Sequence, residues 1–143
     1  MTIPVARYKT GREHTIPLSE MAAGIIASLP RWASGRYLFS ADGGVRPIAG
    51  WFYAKQRLDK ISGVKDWVIH DLRRTMRTRL SELRVPEHVA ELALGHARRG
   101  MPGVYDQYEY FDQIAEAMEA WAARLRLILD PEANVVRPSR FAL

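Results

Sequence analysis

The sequence contains no cysteine. That absence excludes a disulfide framework and any thiolate-ligated metal centre, and it permits a reducing compartment. Long apolar runs are missing too: no stretch approaches the roughly 20 apolar residues that cross a bilayer as a helix, so no membrane partner is expected. The opening MTIPVARYKTG lacks the basic-then-apolar layout of a secretory leader. Internal repeats and low-complexity segments are also absent. The expectation from these absences is a soluble, cytoplasmic protein without a second domain.

Acid is the scarcer charge. Sixteen Asp and Glu stand against 21 Lys and Arg, a net charge of +5. The length of 143 residues with 48% hydrophobic content suffices for one compact core. The excess positive charge is concentrated: residues 70–100 carry Arg73, Arg74, Arg77, Arg79, Arg84, Arg98 and Arg99 against Asp71, Glu82, Glu87 and Glu91. The cation of choice there is arginine, whose planar fork matches phosphate oxygens. An anionic partner follows as the expectation.

Along the chain, residues 3–8 and 13–18 read as two short strands around the turn Lys9-Thr10-Gly11-Arg12, with Pro4 confining the first to an edge. Ser19 is placed to cap a helix over residues 20–29, which Pro30 ends. Tyr37-Leu38-Phe39 is a short apolar run, a strand or a buried turn, and residues 40–44 form a loop. Pro47 opens a helix to about residue 61, stopped by Ser62-Gly63. The next helix, 70–83, has an apolar stripe of Leu72, Met76, Leu80 and Leu83. Pro86 begins another that ends at Leu94, with Gly95 just past its end. Residues 97–103 are a loop rich in glycine, and residues 111–129 form the most regular amphipathic helix. The expected fold is mainly α with a small N-terminal β-hairpin (α+β), one domain over 1–129 and a C-terminal tail over 130–143.

Candidate chemistry clusters between residues 70 and 105. His70 and Arg73 are three apart at a helix start, so they share a face where unpaired N–H groups and the helix dipole favour an anion. The alternative reading is a capping histidine beside a solvated arginine. His96 follows the helix-stopping Gly95, positioned either to donate to a phosphate oxygen or to interact with helix carbonyls. Tyr105 stands nine residues further on, with Tyr108 and Tyr110 close behind. A phenol, with a pKa of about 10, is a poor nucleophile unless cations surround it. His14 and His88 look ordinary, and the histidines lack the carboxylate pattern of a zinc site, so no metal is expected.

In their order and spacing these elements resemble the tyrosine recombinases, the phage integrase family. That family's catalytic domain has a lysine on a β-hairpin, then HxxR, then LGH or LGW, then a tyrosine about nine residues later. Here these are Lys9 in YKTG, His70 and Arg73 in HDLRRT, His96 in LGH and Tyr105 in GVY. The PLS at residues 17–19 is similar to the family, and GVYDQYEYFDQIAEAMEAWAARL resembles the integrases of satellite phages and genomic islands. The resemblance covers residues 7–127. It implies the recombinase catalytic-domain fold, truncated on its N-terminal side, and cleavage and rejoining of double-stranded DNA without metal or nucleotide cofactor. Tyr105 would attack the phosphate to give a 3′-phosphotyrosyl link, Arg73 and His96 would bind its non-bridging oxygens, Lys9 would protonate the leaving oxygen, and His70 would support proton transfer. Arg74, Arg77, Arg98 and Arg99 would hold flanking DNA phosphates, and the tail from Asp130 would mediate self-association. Motif spacing picks Tyr105 over Tyr108 as the nucleophile, and nothing else in the sequence separates the two.

One element departs from the family pattern, which places a further arginine, in a G-x-R context, in a helix before the hairpin. Arg7 and Arg12 do not match it. The resemblance therefore implies the C-terminal piece of a longer integrase, or a late-starting gene. The alternative function is a catalytically incomplete remnant that serves as a DNA-binding or interaction module.

Overall fold

The computed structural model describes residues 1–8, 13–96 and 110–130. The chain is mainly helical with a two-stranded antiparallel hairpin at its start, as expected from the sequence. The strands are β1 (Thr2–Ile3) and β2 (His14–Thr15); the helices are α1 (Glu20–Ser28), α2 (Trp51–Ser62), α3 (Ile69–Glu82), α4 (Glu87–Ala93) and α5 (Phe111–Leu129). They fall into two compact units, Met1–Ala22 with Arg77–Leu143, and Ala23–Met76. Among the described residues no helix is long and apolar enough to cross a membrane.

In the first unit, β1 pairs with β2 through Thr2 opposite Thr15 and Ile3 opposite His14. The strands are shorter than the alternation predicts. Pro4, which cannot donate to a ladder, is followed by a 3-10 turn over Val5–Arg7, with the Arg7 N–H donating to the Pro4 carbonyl at 2.9 Å. The core comprises Leu80 from α3, Val89, Ala90 and Ala93 from α4, and Ile114, Ala117 and Ala122 from α5. Four of these are alanines, so α4 can lie close on α5. Packing is what maintains α4, because seven residues are too few for a helix to persist alone. The N-terminus of α1 is tied to α5: Ser19 Oγ accepts from the Ala22 N–H at 3.2 Å, and the Glu20 N–H donates to Glu119 at 2.6 Å.

In the second unit, a loop closes on itself as the N–H groups of Arg36 and Tyr37 donate to the Gly44 carbonyl at 2.9 and 3.1 Å. The Tyr37-Leu38-Phe39 run is thus neither a strand nor a buried turn: the backbone bends there with Leu38 and Phe39 exposed. A Cβ on Gly44 (φ +84) would lie 2.7 Å from the Trp32 ring, so only glycine fits there. Asp42 accepts from the backbone and side chain of Arg46, whose side-chain hydrogen bond holds its carboxyl well below the usual range. The helix expected from Pro47 starts instead at Trp51, because Gly50 adopts a left-handed conformation (φ 78) that helical residues cannot continue through. The stripe expected on α3 is only partly buried: Leu80 is fully enclosed, whereas Leu72 is 61% exposed.

Candidate phosphate-binding site

His96 owes its position to the way α4 ends. Gly95 adopts φ +73, its N–H donates to the Leu92 carbonyl at 2.8 Å, and the His96 N–H donates to the Glu91 carbonyl at 2.9 Å. This pair of bonds is the Schellman closure, in which a left-handed residue reverses the chain and satisfies the last carbonyls. The LGH tripeptide is therefore a helix stop that projects an exposed imidazole at a fixed point.

The hairpin is pinned to the same point. The Tyr8 hydroxyl donates to the Gly95 carbonyl at 2.8 Å. The Tyr8 and His14 rings stack at 4.9 Å between centroids, 7° from parallel. His14 Nε2 is buried without a hydrogen-bond partner among the described residues, and burial pushes the imidazole below its ordinary value, which keeps it a neutral stacking surface. The residue before Lys9 is thus bonded to the residue before His96.

Gly95→Ala is expected to disturb all of this. A Cβ there would lie 2.5 Å from the Tyr8 hydroxyl and 3.2 Å from His14 Nε2, on a left-handed backbone. The conformation costs about 1–2 kcal/mol and the displaced hydrogen bond about 1 kcal/mol more. Urea unfolding should show a combined loss of about 2–3 kcal/mol for Gly95→Ala and about 1 kcal/mol for Tyr8→Phe. Equal losses would mean the left-handed turn carries no strain.

Glu91, which the sequence reading passes over, lies behind His96. Its Oε2 is 2.5 Å from His96 Nδ1, and its Oε1 accepts from Arg77 Nε at 2.6 Å. Arg77 also donates to Ser81 Oγ at 2.7 Å and stands 3.8 Å from Glu87. The Arg77 hydrogen bond, and after it that of His96, lowers the Glu91 carboxyl below its ordinary value. The signal available in sequence was weak: an acid one helical turn before the stop, and an arginine seven residues after His70.

His70 and Arg73 belong to the second unit, in the first turns of α3. Asp71 caps this end: its Oδ2 accepts from the Val68 N–H at 2.9 Å and its Oδ1 from Arg74 Nη1 at 2.9 Å. The Val68 bond, then the Arg74 bond, lowers the Asp71 carboxyl. Helical spacing puts His70 and Arg73 on one face, with His70 exposed and Arg73 half-buried. Lys9, Arg98, Arg99, Tyr105 and Tyr108 lie outside the described residues, as does the tail from 131 onward. The described parts thus hold two groups: His70, Asp71, Arg73 and Arg74 at the start of α3, and Tyr8, His14, Arg77, Glu91 and His96 around the end of α4.

Residues 1–110 match the phage integrase family. Among curated proteins, the prophage integrase IntA of Escherichia coli strain K12 is 31% identical over 126 residues, covering 84% of this chain and 30% of that protein. The prophage integrase IntZ of the same strain is 27% identical over 140 residues, covering 96% of this chain and 35% of that protein. The chain spans about a third of the length of these relatives. No solved structure matches it.

Proposed function

Because the chain belongs to the phage integrase family, we propose that it is the catalytic part of a site-specific DNA recombinase that cleaves and rejoins strands through a 3′-phosphotyrosyl intermediate. The observation that supports this reading is the LGH stop: a Schellman turn fixes His96, and Tyr8, the residue before Lys9 in sequence, donates to the Gly95 carbonyl.

In the proposed step the Tyr105 hydroxyl loses its proton with His70 assisting the transfer, its oxygen attacks phosphorus, the bond to the 5′-oxygen breaks, and Lys9 gives that oxygen a proton. The new phosphotyrosyl ester retains the bond energy, so attack by a 5′-hydroxyl reverses the step and rejoins the strand. Arg73 and His96 stabilise the charge that accumulates on the non-bridging oxygens of the pentacoordinate phosphate. His70, on the Arg73 face, supports proton transfer. Arg74, Arg77, Arg98 and Arg99 are proposed to contact flanking phosphates of double-stranded DNA, a mode of binding that weakens steeply as salt rises. For Arg74 and Arg77 such contacts compete with the carboxylates they already hold. Self-association through the tail from Asp130 is part of the same proposal.

The test uses the chain in its full-length integrase context on a nicked duplex that traps the intermediate. Wild type and Tyr108→Phe are expected to form the covalent adduct, and Tyr105→Phe to form none. Loss of adduct only in Tyr108→Phe would transfer the nucleophile to that residue. DNA retention without an adduct in wild type would favour a module that binds DNA and does not cut it.

A further inference from the structure

We propose that Glu91, anchored by Arg77, is a positioning residue that decides which ring nitrogen of His96 meets the DNA phosphate. This rests on the recombinase reading of His96 and goes beyond it, because it assigns the ring's tautomer and a proton uptake on binding.

The geometry is specific. An ionised carboxylate only accepts, so the 2.5 Å contact from Glu91 Oε2 requires a hydrogen on His96 Nδ1. The second oxygen of Glu91 is held by Arg77 Nε at 2.6 Å, and Arg77 is itself held by Ser81 and faces Glu87. Glu91 and His96 are also linked through the backbone, His96 N–H to Glu91 carbonyl, so the carboxylate and the ring share one rigid turn. Among the described residues, Tyr8, on the Gly95 carbonyl, and His14, stacked on Tyr8, also face this turn. With Nδ1 committed to Glu91, the phosphate contact falls to Nε2. In the neutral ring Nε2 carries a lone pair and repels an anion, so binding requires a second proton. The imidazolium then donates to Glu91 through Nδ1 and to the phosphate through Nε2.

Glu91→Gln separates this arrangement from a merely structural one. Glutamine has one carbonyl oxygen, which Arg77, a pure donor, will claim; its NH2 group then faces Nδ1 and needs a lone pair there. The neutral ring should move its hydrogen to Nε2. The probe is inorganic sulfate, whose charge is constant across the range, titrated into the 143-residue chain and followed at the His96 ring nitrogens by 15N NMR. Wild type is expected to show the Nδ1–H tautomer. Its sulfate affinity at His96 should fall by up to about tenfold per pH unit where the unbound ring has one proton, as linkage to a single proton requires. Glu91→Gln is expected to show the Nε2–H tautomer and a nearly flat profile.

If Glu91→Gln keeps the wild-type tautomer and pH profile, the inference is overturned while His96 remains a phosphate ligand. Wild type showing no sulfate at His96 at any pH would overturn the recombinase role of His96 and this inference with it. Should Glu91→Gln unfold, Arg77→Gln gives the same decision. Freed of its anchor, Glu91 should leave His96 a mixture of tautomers, and a purely wild-type Nδ1–H signal would overturn the inference.

Discussion

Replacing Arg73 with alanine is expected to slow formation of the covalent DNA adduct by at least about 10²-fold. Removing one preorganised donor to a developing oxyanion costs about 3 kcal/mol, a factor of that size. Arg73 lies half-buried in the first turns of α3, on the His70 face. Arg73→Lys should recover little of the rate, because a point charge does not reproduce the fork that grips two oxygens. Single-turnover adduct formation checks this, with filter binding at low salt as the companion. DNA retention should change far less than the rate, since many cations share it. A rate within a few-fold of wild type would remove Arg73 from the chemistry.

Leu80→Ala is expected to be the most damaging of the core truncations, costing about 2–5 kcal/mol. Leu80 is completely enclosed, and it is the residue by which α3 enters the core of the first unit. The Val85 N–H donates to its carbonyl at 3.0 Å, so the turn from α3 into α4 is built on the same residue. The rest of that core is largely alanine and cannot expand to fill the space left behind. Urea unfolding measures the loss. The α3 neighbour Leu72, 61% exposed, provides the control: Leu72→Ala should shift the midpoint much less, and an equal shift would contradict the core described here.

Long periodic helices were readable directly. α5 runs over Phe111–Leu129 as the 3.6-residue period requires, and α3 and α4 begin and end within a residue of expectation. The end of α4 was legible because Gly95 is a conformational necessity there. The failures have local causes. Gly50 delays α2 by its left-handed backbone, and the 3-10 turn after Pro4 shortens the hairpin. Which residues of an apolar stripe are enclosed depends on neighbours that periodicity does not name, hence Leu72. In the candidate site, His70, Arg73 and His96 were singled out by motif. Glu91 as the partner of His96, with Arg77 behind it, was not, because an acid five residues before a histidine acquires meaning only once a Schellman turn folds it back. Tyr8 was invisible for the same reason: its partner lies 87 residues away.

In the proposed recombination step, Arg73 and His96 are to bind one phosphate that Tyr105 attacks. The most direct measurement is a crystal structure of the chain with bound sulfate or vanadate. The expected result is a single anion touching the Arg73 guanidinium and His96 Nε2, with Glu91 on Nδ1 and the Tyr105 hydroxyl facing the anion. Separate anions on Arg73 and His96, with Tyr105 turned away from both, would contradict it.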